Sequence, residues 1–425
     1  MTRRQQPQVD LLPDDVLADE VLRRAGASPR ALAVCHCVCR AWRAIIDDRR
    51  LLRADLLPRS LAGLVADYTS ELPYAEFFAR PSVDPWDYGM PRGGVADHCN
   101  GLLLVDYDWV YNPATGGYAT LPEPPAPRRT GGMEDLFIDE AYLVFDPAVS
   151  PPHYEVLVIP RVPTYTMAAE RLGSAMLCSE WPPSPCVLRV FSSTTGLWEE
   201  RSFARQGEAA GTVADMLLVR DWLFQLHAEY WRGALYVQCQ TQFVMRISLS
   251  TSTYRVTKPP SIGTDDQDEQ EFPHPNFFLG RSEQGIYYAL LDLKDHRLRV
   301  WILDESCDRI EWRLRHDTGR GLVFPSPSYG DGPWILSNSN YDDSDDESSE
   351  DGSSEDDDEE AQVGEQEFEW NSDDDNALPT DNNRSVEQQR GYVLTEILAF
   401  HPYREIVFLH RSNRRALTYV SFDNL

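Results

Sequence analysis

Leu188-Arg189-Val190-Phe191-Ser192-Ser193-Thr194-Thr195-Gly196, with Trp198 just beyond, is the stretch on which the fold turns. An apolar run rich in β-branched and aromatic residues reads as a strand, the Ser/Thr/Gly cluster reads as a turn, and an aromatic residue opens the next strand. The same grammar recurs. Val110-Tyr111-Asn112-Pro113-Ala114-Thr115-Gly116 leads to Tyr118, and Leu143-Val144-Phe145-Asp146-Pro147-Ala148 leads to Tyr154. Val244-Met245-Arg246-Ile247-Ser248-Leu249-Ser250 leads to Tyr254, and Val300-Trp301-Ile302-Leu303-Asp304 leads, over a longer gap, to Trp312. The five aromatics are spaced by 36, 44, 56 and 58 residues. Repetition of short strands at roughly 40–50 residues is the signature of a β-propeller, in which small sheets that cannot cover both faces alone stack around an axis. About six to eight blades fit the length left for them. A set of packed β-sandwiches is the competing architecture.

Composition agrees with a turn-rich globular chain. Of 425 residues, 42% are hydrophobic and 30 are Pro, which argues against a mostly helical fold. The net charge of −30 argues against general nucleic-acid binding and against coating an anionic membrane. That charge is concentrated: Asp342 to Asp375 holds 19 acidic residues and no Lys or Arg, so the rest carries −30 + 19 = −11. Residues 341–390 are too polar to offset their ordering entropy and are expected to be a disordered acidic insertion. Strand patterning resumes after it, with Ile406-Val407-Phe408-Leu409, a polar turn at Ser412-Asn413 and Ala416-Leu417-Thr418-Tyr419-Val420 reading as a closing hairpin. No apolar run is long enough to span a membrane, and the first residues carry no apolar signal core. Eight Cys scattered through the chain fit free thiols in the cytosol or nucleus.

The amino-terminal part differs in texture. Pro13 suits a first helical position, with Asp14, Asp15, Asp19 and Glu20 early and Arg23 and Arg24 late, as the helix dipole favours, and Gly26 as a stop. Leu12, Val16, Leu17, Val21 and Leu22 recur at helical spacing. Ser28-Pro29 starts a second helix bearing Leu32, Cys35 and Cys39, and Val38, Trp42, Ile45 and Ile46 continue the pattern. Three short helices in about 40 residues make a poor isolated core, so residues 11–57 are expected to dock on another protein.

Leu12-Pro13-Asp14-Asp15-Val16-Leu17, Val21-Leu22-Arg23-Arg24, Leu32 and Val38-Cys39-Arg40-Ala41-Trp42-Arg43-Ala44-Ile45-Ile46, in this order and spacing, resemble an F-box. The departure is Ala25-Gly26-Ala27-Ser28-Pro29, where the family usually has a Leu-Pro pair and a turn about two residues shorter. His98-Cys99-Asn100-Gly101-Leu102-Leu103-Leu104, with Tyr111 to Gly116 and Leu121-Pro122, is similar to the opening of the propeller-like associated domain of plant F-box proteins. Phe400 to Leu409 resembles its closing segment. The resemblance implies a three-helix F-box followed by a mostly antiparallel all-β domain. It divides the chain into a disordered 1–10, an F-box at 11–57, a linker at 58–94, the β domain at 95–340, the acidic insertion at 341–390 and closing strands at 391–425.

The function implied is that of a substrate-recognition subunit of a Skp–cullin–F-box ubiquitin ligase. It would use no cofactor and do no covalent chemistry itself. Its partners would be the Skp adaptor, cullin through it, and a protein substrate, with neither nucleic acid nor membrane. Leu12, Pro13, Leu17, Val21 and Leu22 would form the adaptor contact, with Val38, Trp42 and Ile45 supporting or joining it. Internal helix packing competes for each, most evenly for Val38 and Ile45. A propeller enzyme or sugar-binding module is the competing class, and an F-box scaffold without ubiquitin transfer a third.

Other constellations read blandly. Cys35-His36-Cys37-Val38-Cys39 on a helix points its alternate residues apart, away from a common tetrahedral ion. His98-Cys99-Asn100 has the residue types of a thiol protease, but consecutive residues entering a strand read as a turn. Ser344, Ser348, Ser353 and Ser354 each have an acidic residue three positions on, a pattern that suits an acidophilic kinase, although a solvated spacer is the favoured reading. Trp181, Trp222 and Trp231 are candidates for lining a substrate surface, against a core role.

Overall fold

The computed structural model describes residues 22, 35, 40–49, 63–67, 75–79, 93–113, 116–126, 137–147, 153–163, 172–217, 227–260, 275–306, 310–319, 335–337, 395–411 and 416–422. The chain divides into one unit of residues 1–61 with 371–373 and a second of 62–370 with 374–425. In the first unit the described element is helix α1 (Arg40–Asp48). The second is predominantly antiparallel β.

In the second unit, β1 (Gly63–Asp67) and β2 (Ala75–Ala79) form an antiparallel pair inside the stretch expected to be a linker. Sheet A is the meander β3 (Val95–Cys99), β4 (Leu102–Val105), β5 (Trp109–Asn112), β6 (Gly117–Thr120). Sheet B comprises β7 (Ile138–Phe145), β8 (Tyr154–Arg161), β10 (Cys186–Ser192) and β11 (Leu197–Arg205). The short strands β9 (Glu180–Trp181) and β12 (Gly211–Thr212) pair beside it, with helices α2 (Ser174–Leu177) and α3 (Val213–Leu217).

Sheet C is β13 (Ala228–Trp231), β14 (Ala234–Gln238), β15 (Val244–Ser248) and β16 (Thr253–Thr257). Sheet D is β17 (Asn276–Ser282), β18 (Gly285–Asp292), β19 (Arg297–Asp304) and β20 (Glu311–Asp317). β21 (Ile335–Ser337) returns to pair with β2. Sheet E is β22 (Thr395–Phe400), β23 (Ile406–Arg411) and β24 (Ala416–Ser421), the last two forming the expected hairpin. Among the described residues no helix is long and apolar enough to cross a membrane.

Period-two alternation explains how these sheets pack, because successive side chains point to opposite faces. Ala141 and Leu143 of β7, with Val156 and Val158 of β8, join Leu104 and Val110 of sheet A in one core. Their neighbours Tyr142, Val144, Leu157 and Ile159 join Leu235, Val237, Met245 and Ile247 of sheet C in the next. Tyr236 and Val244 of sheet C meet Ile286, Tyr288 and Leu290 of sheet D. Tyr287, Ala289 and Leu291 of β18 meet Val407 and Leu409 of sheet E. Sheets B, C and D are thus apolar on both faces, which is why β18 is buried from Gly285 through Leu291. The fourth strands differ: all four residues of β6 are exposed, whereas Phe203 of β11 and Tyr254 of β16 are buried in the core between sheets B and C.

The first strands β3, β7, β13, β17 and β22 lie side by side in that order. A first strand has hydrogen-bonding partners on one side only, and side chains satisfy part of the other. Asp97 Oδ2 accepts from Leu143 N at 2.6 Å, Gln238 Oε1 from Leu279 N at 3.1 Å, and Asn276 Oδ1 from Ile397 N at 3.1 Å. Each bond runs from one sheet to the next, so buried backbone donors are matched across the boundary. On the outside, Ala204 and Arg205 of β11 pair in parallel with Thr253 and Tyr254 of β16, joining sheets B and C into one eight-stranded sheet whose terminal strands β7 and β13 come back together.

The repeated aromatics occupy two phases. Tyr118, Trp198, Tyr254 and Trp312 sit on the fourth strands of their sheets, whereas Tyr154 opens the second strand of sheet B. The unequal spacings therefore mix two different hairpins. Trp198 Nε1 donates to Pro122 O at 2.8 Å, and Tyr254 Oη lies 2.9 and 2.7 Å from the Pro182 and Pro183 carbonyls. Large apolar rings thus anchor connecting loops through their single polar atom.

Candidate functional site

Two places gather the residues that the sequence singles out. The first is α1. Trp42, Ile45 and Ile46 stand at i, i+3 and i+4, which places them on one side of the helix. Ile45 and Ile46 are buried together with Leu22, and Trp42 and Cys35 pack half-buried against them. Ala41, Arg43 and Ala44 are exposed, so the helix is amphipathic. Of the expected adaptor residues, Leu22, Trp42 and Ile45 come together here. Leu12, Pro13, Leu17, Val21 and Val38 lie outside the described residues, as do Ser344, Ser348, Ser353, Ser354 and Trp222. Cys35 serves as a small apolar group in this cluster.

The second place is where the first strands approach one another. Asp97 on β3 is buried, and desolvation holds its carboxyl well above the usual carboxylate range despite the Leu143 N–H bond. Glu229 on β13 is raised for the same reason, with Arg281 of β17 opposing: Arg281 Nε lies 3.8 Å from Glu229 Oε2. The Arg281 guanidinium donates to Asn100 Oδ1 at 3.0 Å and to Tyr230 O at 3.2 Å. His227 packs on Phe278 with ring centroids 3.9 Å apart, and burial lowers its pKa to about 3, so the ring is neutral.

Cys99 is tied to β7 by Sγ contacts of 3.4 Å to Phe145 O and 3.3 Å to Phe145 N. Burial pushes this thiol up to about 12, the wrong direction for a nucleophile, which must be thiolate near neutral pH. Asn100 sits in the left-handed region at φ 46° and donates from Nδ2 to Phe145 O at 2.6 Å. His98 and Cys99 therefore end β3 and Asn100 opens the turn after it, with Cys99 and Asn100 holding sheet A to sheet B. His98 alone of the three is exposed.

The cluster joins sheets A, C and D through charge and hydrogen bonds, with Trp231 at its margin. The Arg232 and Arg281 guanidinium carbons lie 5.1 and 5.6 Å from the Trp231 ring centroid. Trp181 is instead core, stacked on Phe137 at 5.4 Å. A second buried polar pair lies where sheet D meets sheet E: Tyr287 Oη is 2.6 Å from both Glu405 carboxylate oxygens. The sequence signal for Asp97 was a lone charge within an apolar strand. Glu229, Arg281 and Glu405 gave none, because their partners lie tens of residues away.

No protein-family model matches the chain, and no curated protein matches it significantly. Among solved structures, the chain is similar to Hsv2p of Kluyveromyces lactis, 11% identical over 62% of this chain and 71% of that one, with a TM-score of 0.25. It is also similar to the fission yeast SREBP–SCAP binding domains, 12% identical over 60% of this chain and 65% of that one, with a TM-score of 0.19. At these TM-scores neither likeness bears on the fold or the function.

Proposed function

We propose that this chain is the substrate-recognition subunit of a Skp–cullin–F-box ubiquitin ligase, docking the Skp adaptor through residues 11–57 and presenting a protein substrate on a β-propeller. The observation that carries the reading is the ordered set Leu12-Pro13, Val21-Leu22, Val38 and Trp42-Arg43-Ala44-Ile45-Ile46. The amphipathic α1, with Leu22, Ile45 and Ile46 in one cluster, is the local structure this set requires. The contribution to ubiquitin transfer is proximity: substrate lysines are held at high effective concentration near the conjugating enzyme.

The propeller reading is supported by consecutive sheets sharing cores through opposite faces. The faces at the two ends of the series support it further. Val105 and Tyr111, on the face of sheet A turned from sheet B, are buried, and so are Ile406, Phe408 and His410 on the face of sheet E turned from sheet D. Among the described residues, the three-stranded β1–β2–β21 sheet is the candidate to cover both end faces, which would make six blades.

Co-purification tests the docking claim. The full chain should retain the adaptor, and the Leu12→Ala/Pro13→Ala double variant should lose it while keeping the β-type circular dichroism of the parent. Adaptor retained by the variant would overturn the assignment. Adaptor binding without substrate ubiquitination in a reconstituted reaction would favour the scaffold reading.

A further inference from the structure

The connection from β6 to β7 opens with Leu121-Pro122-Glu123-Pro124-Pro125-Ala126, and the sequence continues Pro127-Arg128-Arg129. Proline fixes φ at about −65°, and the residue before a proline is held to extended or polyproline II backbone. Leu121, Glu123, Pro124 and Ala126 each precede a proline, and Pro122, Pro124 and Pro125 are fixed by their own rings. The run is therefore confined, residue by residue, to the left-handed polyproline II helix.

The way the run is held leaves most of it free. Leu121 is buried in the core shared by sheets A and B, and its N–H donates to Asp108 O at 2.7 Å. Trp198 Nε1 donates to Pro122 O at 2.8 Å, and Arg189 Nη1 donates to Pro125 O at 2.8 Å. Polyproline II has three residues per turn, so these two carbonyls lie on one edge of the helix. Solvent reaches the rest: every residue from Pro122 to Ala126 is exposed. A run already stiffened by proline and tied along one edge loses little further freedom when a partner takes hold of it.

We propose that residues 122–126 are a polyproline II ligand for a partner domain of the SH3 class, whose groove is lined by aromatic rings and rimmed by acidic side chains. Aromatic-lined grooves of this kind read prolines three apart on a preformed helix. Pro124 and Pro127 have that spacing, and Arg129 follows two residues on, where an acidic rim would pair with it. The local charge is thus basic, although the chain as a whole is acidic. Another run with the same spacing, Trp181-Pro182-Pro183-Ser184-Pro185, buries Pro182 and continues Cys186-Val187-Leu188 with no basic residue. The site lies in the β domain and does not depend on the adaptor contact at residues 11–57.

The test uses the purified full chain and a panel of purified SH3 domains that select Pro-x-x-Pro-x-Arg peptides, followed by biolayer interferometry. Saturable binding by at least one domain is expected. Pro124→Ala should weaken it by at least about tenfold. Pro125→Ala keeps the carbonyl that Arg189 holds and lies off the spacing of three, so binding should stay within about twofold of the parent. Arg128→Glu/Arg129→Glu should abolish binding with the circular dichroism retained. A synthetic peptide of residues 119–130 should compete for the same domain, and the same substitutions made in the peptide give the same order whether or not a variant chain folds. A panel that ignores both chain and peptide would overturn the proposal. So would a peptide that binds while the full chain does not, because the run would then be closed off on the fold. Equal loss in Pro124→Ala and Pro125→Ala, or binding that survives the charge reversal, would also overturn it.

Discussion

Gln240 offers a direct measure of how much the sheet-to-sheet bonds hold. It sits in the short turn Gln240–Gln242 between β14 and β15, a turn closed by the Cys239 N to Phe243 O bond of 2.8 Å. Its side-chain amide acts like a neighbouring strand: Oε1 accepts from Val162 N at 3.1 Å, and Nε2 donates to Val162 O. Val162 follows β8, so this pair ties sheet B to sheet C, and both residues are buried. Gln240→Leu keeps the volume and removes both partners. Two buried backbone groups are then orphaned at about 1–3 kcal/mol each, giving a destabilisation of about 2–6 kcal/mol. Urea unfolding followed by Trp fluorescence measures it, and hydrogen exchange at the Val162 amide localises it, because that N–H should lose protection ahead of its sheet. A variant within about 0.5 kcal/mol of the parent, the scatter of neutral surface substitutions, with Val162 equally protected, would refute the reasoning.

Other positions make related predictions. Tyr287→Phe leaves the buried Glu405 without its phenol donor and should cost about 1.5–3 kcal/mol in the same unfolding assay. Asp97→Asn keeps an acceptor for Leu143 N while removing a buried charge, so stability at pH 7 should hold or rise by about 1 kcal/mol. Asp97→Leu should lose about 1–3 kcal/mol, and the two variants behaving alike would count against the bond. His227 has a folded pKa of about 3, below its ordinary 6.5, so between those values the unfolded chain binds a proton that the fold excludes. Its contribution is present above pH 6.5 and is lost as pH falls, with a slope of up to about 1.4 kcal/mol per pH unit. His227→Gln should flatten the stability profile between pH 6.5 and 4, and an unchanged slope would show that the imidazole is protonated in the fold. Asp97 and Glu229, raised by burial, act in the opposite sense: their contribution is present below their ordinary pKa values and lost as pH rises through the folded ones.

What was legible in the sequence was local. The run Val300-Trp301-Ile302-Leu303 reads as a strand and Ile406–Val420 reads as a hairpin, because pattern and turn chemistry lie within a few residues. The strands at 63–67 and 75–79 lie in a stretch that reads as linker, since Leu64-Val65 and Phe77-Phe78 are short apolar runs and the second strand takes its other partner, Ile335–Ser337, from far along the chain. Tyr154 satisfied the turn-plus-aromatic pattern one hairpin out of phase, because that pattern does not encode which hairpin of a sheet it belongs to. The polar cluster was least legible. Asp97 meets Leu143 and Asn100 meets Arg281 only once sheets stack, and no spacing rule joins positions 100 and 281. At the amino terminus the reverse holds: the order of motifs speaks to a docking role, and the described α1 carries only the Arg40–Ile46 end of that set.

The central claim is tested most directly by titrating purified Skp adaptor into the purified full chain in a calorimeter. A saturable one-to-one isotherm, abolished in the Leu12→Ala/Pro13→Ala variant, is the result this account predicts. A flat titration with the folded full chain would contradict it.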